Sequence, residues 1–123
     1  MKKLGLLLIA LVFSLSSTVY AGTVLLSGAT ATGAGTPMAC KQCKSHTIVV
    51  TFVNTSTLVI SLDGSVDNTT WPSIGAYTID ATDISNGYAI LHINDRLVDY
   101  VRPNITTLTG GGAAVTATVS SAK

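Results

Sequence analysis

The chain has 123 residues, with seven Lys and Arg against six acids and a formal charge of +1. All six acids are aspartates, and the charges are scattered rather than gathered in a basic stripe, which excludes nucleic acid as a partner.

Lys2 and Lys3 precede an apolar run from Leu4 to Leu15, and Ser16-Ser17-Thr18 then leads to Val19-Tyr20-Ala21. That is the three-part pattern of a secretory signal. A membrane span needs roughly 20 continuous apolar residues, and this run stops after about a dozen. Residues 1–21 are therefore expected to be a cleaved signal peptide, with no membrane span after cleavage and no cysteine at the cut to carry a lipid. The destination is a secreted, periplasmic or extracellular-surface one. From Gly22 onward, Lys41, Lys44, Arg96, Arg102 and Lys123 face the six aspartates. Roughly 100 residues suffice for one domain that folds alone.

Residues 22–44 read as a flexible N-terminal arm. It holds one apolar patch, Val24-Leu25-Leu26, that suits a first short strand, and a Gly/Ala/Thr/Pro connection from Gly33 to Pro37. The β-sandwich domain is expected over 45–123. Thr47 to Val53 places Ile48, Val50 and Phe52 on one face, and Thr57 to Asp63 does the same with Leu58, Ile60 and Leu62. The polar link Asn54-Thr55-Ser56 between them predicts a hairpin. Tyr77 to Ile79 suits a brief strand, and Ser85-Asn86-Gly87 marks a turn. Tyr88 to Ile93 and Val98 to Thr106 read as two more strands. Pro103 cannot donate to a ladder, which puts the second at an edge or gives it a bulge. Beyond Gly110-Gly111-Gly112, Val115, Ala117 and Val119 alternate with Thr116, Thr118 and Ser120. Thr, Val and Ile suit a pleated surface, glutamate is missing, and no window carries a helical period. The expectation is all-β: a single small antiparallel β-sandwich, jelly-roll-like or Ig-like, of six to seven short strands.

Cys40 and Cys43 are the two cysteines, in a C-x-x-C spacing. In an oxidising compartment they are expected to form a structural disulfide. A redox motif would sit at a helix N-terminus, whereas this one follows a Gly/Ala/Pro segment and precedes a strand. Lys44 stands where haem attachment needs histidine, and zinc would have His46 and His92 to complete it. Asp63-Gly64-Ser65-Val66-Asp67 lacks the regular oxygens and terminal glutamate of an EF-hand calcium loop and reads as a turn. No G-x-S-x-G and no triad spacing appears, so no catalytic residue, metal or cofactor is expected, and the chain is read as no enzyme. Trp71, Tyr77, Tyr88 and Tyr100 are the aromatics available to a ligand such as a glycan. A core tryptophan with tyrosines at strand edges is the alternative.

Ser61-Leu62-Asp63-Gly64-Ser65, then Asp67-Asn68-Thr69-Thr70-Trp71, resembles a strand–turn–Trp segment of small β-sandwich modules of phage virions. Tyr100 to Thr106, the glycine run and Ala114 to Val119 resemble their closing strands. The resemblance implies a head-fibre, capsid-decoration or tail-associated type of role, with assembly or attachment and no chemistry. The signal peptide departs from that pattern. Together these readings predict an exported structural or interaction module assembling on a surface, filament or virion. Its partners would be further copies of itself or a larger protein assembly. A secreted carbohydrate-binding module is the alternative.

Overall fold

In the computed structural model, which describes residues 19–123, the period-two alternation becomes nine strands and one short helix. The strands are β1 (Val19–Ala29), β2 (Gly33–Ala34), β3 (Met38–Cys43), β4 (Ser45–Val53), β5 (Thr57–Ser65), β6 (Ser73–Thr78), β7 (Tyr88–Ile93), β8 (Val98–Thr109) and β9 (Ala114–Ala122); the helix, α1, is Ala81–Asn86. One sheet runs β1-β9-β4-β7 and the other β2-β8-β5-β6, with β3 following β2 along the same side of β8. Each ladder is antiparallel. The expected leader, 1–21, falls mostly outside the described residues, and β1 begins at Val19.

The fold is the small all-β sandwich that the alternation implies. Ile48, Val50 and Phe52 of β4, and Leu58, Ile60 and Leu62 of β5, are all buried, as are Val115, Ala117 and Val119 of β9. Burying each Val, Leu, Ile or Phe side chain contributes roughly 1.5–3 kcal/mol, so these interleaved rows are the main source of cohesion.

The topology corrects four expectations. First, β4 and β5 do not form a hairpin. β4 pairs with β7 and β9, β5 pairs with β6 and β8, and Asn54–Ser56 carries the chain from one sheet to the other. Alternation fixes which face of a strand is buried, but two strands that face each other across a core show the same alternation as two that pair. Six of the eight connections between strands change sheet.

Second, Pro103 is not at an edge. β8 is central, and Pro103 stands opposite Leu62 with its carbonyl accepting from the Gly35 N–H at 2.7 Å. In an antiparallel ladder a residue's N and C=O point to the same side. The missing donor therefore falls between the end of β2 and the start of β3, where no ladder bond is due. A bulge does occur in β8, at Thr106, where Val59 opposes Thr107 and Ile60 opposes Ile105.

Third, residues 22–44 carry most of β1 and all of β2 and β3, which complete both sheets and raise the strand number to nine. The Gly35 N–H bond to Pro103 and the Thr36 N–H bond to the Leu25 carbonyl, at 2.8 Å, stitch the two sheets together along this side. A Cβ on Gly35 would overlap the Leu25 carbonyl oxygen, so glycine is needed at this seam.

Fourth, the turn signal at Ser85-Asn86-Gly87 closes a helical turn. Asp80 caps the Asp83 N–H at 2.8 Å, the Asp83 side chain returns the bond to Asp80 at 3.0 Å, and Gly87 ends the helix with φ 79°. This reciprocal cap holds a six-residue helix too short to show a period.

Candidate functional site

Ser61, Asp63 and Ser65 project from β5 to the outer face of the five-stranded sheet, yet all three are buried. A buried carboxylate needs partners. Asp63 lies opposite Arg102 in the β5–β8 register; it accepts from the Ser61 hydroxyl at 3.0 Å and from Arg102 Nε at 3.4 Å. The loop after β5 then folds back to lay the Trp71 ring under the same guanidinium, 4.4 Å from its carbon, a cation–π contact worth roughly 0.5–1 kcal/mol.

Asp67 holds that loop's shape. Its Oδ1 accepts from the Thr70 N–H at 2.8 Å, the Thr69 N–H at 2.9 Å and the Ser65 hydroxyl at 2.9 Å. The Thr70 and Thr69 amides, with the Ser65 hydroxyl, pull its pKa down to about 2. Its oxygens serve the turn, and no group of three or more His, Cys, Asp or Glu side chains gathers among the described residues. The turn expected over Asp63–Asp67 is therefore only partly one: Asp63, Gly64 and Ser65 are the end of β5, held by their pairing with Arg102, Val101 and Tyr100, and the chain turns from Val66 onward around Asp67.

Beside this cluster the end of the sandwich opens into a cleft of about 280 Å³, with Gly64 and Val98 in its floor, Thr70 and Pro72 along it, and Val66 and Leu97 at its rim. Val66 and Leu97 are among the most exposed large apolar side chains described, at 71% and 63%. A Cβ on Gly64 would come within 2.6 Å of Val98 Cγ1, so the floor is shaped by a missing side chain. The lining carries no titratable group.

The four candidate aromatics do not form one platform. Trp71 and Tyr100 lie towards the outer face of the five-stranded sheet, where Tyr100 stands opposite Ser65. Tyr77 packs against the core from β6 and donates its hydroxyl to Asp83 at 2.6 Å. That bond raises the Tyr77 pKa to about 12 and lowers that of Asp83. Tyr88, on β7, is 48% exposed on the outer face of the other sheet.

Cys40 and Cys43 form a disulfide with their Cα atoms 5.7 Å apart, both side chains buried. It lies within β3, where Gln42 takes φ 55° and its N–H reaches Asp99 at 2.9 Å. His46 is buried. Its Nε2 is 2.9 Å from the Arg96 carbonyl, which can only accept, so that nitrogen carries the proton and Nδ1 accepts from the Ser121 hydroxyl at 2.8 Å. Burial lowers the His46 pKa, outweighing the carbonyl bond. His92 pairs through Nδ1 with Thr47 at 2.8 Å on an exposed strand. The two histidines are thus bonded into the sandwich rather than set around a shared site.

One feature escaped the sequence reading. The outer face of the four-stranded sheet exposes Val49 and Val53 on β4, Tyr88 and Ile90 on β7, and Val24 on β1. Threonines fill much of the rest: Thr47 and Thr51 on β4, Thr116 and Thr118 on β9. No Asp, Glu, Lys or Arg lies within these four strands. The available signal was Val49, a valine at a solvent-facing position between Thr47 and Thr51.

No protein-family model and no curated protein sequence matches the chain. Among solved structures it is similar to the SPBc2 prophage-derived protein YomS, with a TM-score of 0.60 at 12% identity, over 89% of this chain and 98% of that one. At that identity the likeness is one of fold.

Proposed function

We propose that the chain is an exported, non-catalytic structural or interaction module that assembles on a surface, filament or virion. The observation that carries this reading is the distribution of exposed apolar surface. Among the described residues, five of the eight exposed large apolar side chains lie on one sheet face whose strands hold no Asp, Glu, Lys or Arg, and Val66 and Leu97 rim one apolar cleft. Concentration of that kind marks an interaction surface, whereas single scattered apolar residues need no explanation. The fold likeness to a prophage-derived protein supports a phage-type module. The buried disulfide supports an oxidising destination. The polar groups that could have served chemistry, Asp63, Asp67, His46 and Asp83, are each engaged in holding strands or loops.

Electron microscopy and light scattering of the purified protein test the reading. Ordered assemblies, or attachment to cells or virions, are expected. A monodisperse monomer that binds neither cells, virions nor itself would overturn it. Splitting of the aromatics among separate surfaces leaves the glycan reading without a platform, and a glycan array with strong signal would reinstate it.

A further inference from the structure

We infer that the outer face of the β1-β9-β4-β7 sheet is the docking site for a second copy of this chain, the two sheets stacking face to face about a two-fold axis. The inference rests on the assembly reading above and names its surface and partner. The outward side chains form rows across the strands. Val49 stands between Ile90 on one side and Thr118 on the other, and Thr118 faces Val24 on β1. Val24, Val49 and Ile90 are exposed by 54%, 37% and 57%, so the row is apolar from edge to edge except for one threonine methyl and hydroxyl.

Three arguments select a second copy as the occupant. A two-fold interface brings a surface against itself, so any charge near the axis meets its own kind. Here the strands carry no Asp, Glu, Lys or Arg, so no carboxylate, ammonium or guanidinium on them meets its own kind; the one imidazole on the face, His92, is bonded to Thr47 towards one end of the edge strand. Lys44 and Lys123 adjoin the same end of the sheet, where Ser45 pairs with Ala122. A two-fold that sets the stacked strands antiparallel keeps the two lysine ends apart. The second argument is shape: β4 pairs with β7 and β9 without a register shift, and β-branched side chains on such ladders interdigitate as the inner faces of a sandwich do, at about 10 Å between sheets, while the bulged β1 adds Val24 at the edge. The third is size. With strands ~4.8 Å apart and residues ~3.4 Å along them, a four-stranded face nine residues long has a footprint of about 500 Å². Doubled, that reaches the ~1,000 Å² lower bound for specific pairing and falls short of the usual ~1,600 Å². The pairing is therefore one that dilution reverses.

The test is sedimentation velocity of the purified protein over a concentration series, beside Val49→Lys, Val49→Glu and a Val66→Lys/Leu97→Lys control. The native protein should pass from dimer to monomer on dilution. Val49→Lys and Val49→Glu should each be monomeric throughout, with unchanged circular dichroism, and an equimolar mixture should restore the dimer. The cleft control should dimerise as the native protein does. If Val49→Lys loses its sheet signature, Ile90→Lys on the edge strand takes its place. Oligomers that survive Val49→Lys, or that the cleft control abolishes, would overturn this face while leaving the assembly reading standing. A native protein monomeric at every concentration would overturn self-pairing; attachment to cells or virions would then decide the assembly reading separately.

Discussion

Arg102→Met separates charge from packing at the braced outer face. Methionine keeps an unbranched stem against Trp71 but removes the guanidinium that meets Asp63. The Asp63 side chain is 5% exposed and that of Arg102 26%, so the pair lies between the surface and interior limits. Exposed pairs contribute ~0–1 kcal/mol, whereas removing one partner of a fully buried pair costs ~3–5 kcal/mol. The Nε contact is single-ended at 3.4 Å, and Ser61 still donates to Asp63 after the change. Those two facts pull the expected loss down to about 2 kcal/mol, including the cation–π contact. For a domain near 100 residues, that lowers the thermal midpoint by roughly 10 °C. Asp63→Asn keeps the shape without the charge and should cost less. The double variant should cost about 1 kcal/mol less than the sum of the singles, because the two groups interact directly. Urea unfolding at constant slope measures all four corners of this cycle. An Arg102→Met midpoint equal to that of the native protein, or strict additivity, would refute the account of the buried carboxylate.

Three further expectations follow from the seam, the disulfide and the buried histidine. Gly35→Ala should destabilise by roughly 1–3 kcal/mol, since a Cβ has no room beside the Leu25 carbonyl and Leu26; unchanged amide exchange in β1 and an unchanged midpoint would show that the Gly35–Thr36 stitch is dispensable. The Cys40–Cys43 bond, buried in β3, should resist reductant in the folded protein and open in urea, and its loss should cost at the low end of ~2–4 kcal/mol because the loop is short; equal reduction rates in both states, read by thiol trapping and mass spectrometry, would contradict its burial. His46, with its pKa lowered by burial, binds a proton more readily unfolded than folded; the stability it confers is complete above its ordinary pKa of 6.5 and declines as pH falls below that value. The slope of thermal midpoint against pH in that window should vanish in His46→Gln, and a slope that persists would assign it to another group.

What the sequence made legible was the face of each strand, and what it concealed was the neighbour. Ile48, Val50 and Phe52 are inward because β-branched and aromatic residues alternate with threonine, and that pattern is local. Whether β4 pairs with β5 or with β9 depends on contacts between residues far apart in the chain, which alternation does not encode. Asn54–Ser56 looks like a hairpin link because it is short and polar, but a link of that length serves equally to cross a sandwich. The same limit explains Pro103: its missing donor reads as an edge until β2 and β3 are seen to leave a gap opposite it. Residues 22–44 read as an arm for a different reason. Their Gly, Ala and Pro give weak strand propensity and interrupt the alternation, and their order comes from ladders with β9 and β8, a tertiary effect. At the surface, Trp71 and Asp63 were visible as residue types, while the Arg102 that joins them lies 39 positions beyond Asp63.

The two outer faces of the sandwich differ in a way that bears on function. An antiparallel sheet with one solvated face ordinarily presents polar side chains there. The five-stranded sheet does so, but its polar groups look inward on one another: Asp63 to Ser61 and Arg102, Arg102 to Trp71, Ser65 to Asp67, and Asp67 to its own loop. A ligand arriving there would have to displace bonds that hold the loop. The four-stranded sheet keeps few such commitments among its exposed apolar side chains, since Val24, Val49, Val53 and Ile90 have no hydrogen bonds to give up. Docking on it exchanges only water, and that exchange is favourable at roughly 25 cal/mol per Å² of apolar surface covered. This physical asymmetry is the ground on which association is proposed for the four-stranded face and a structural role for the other.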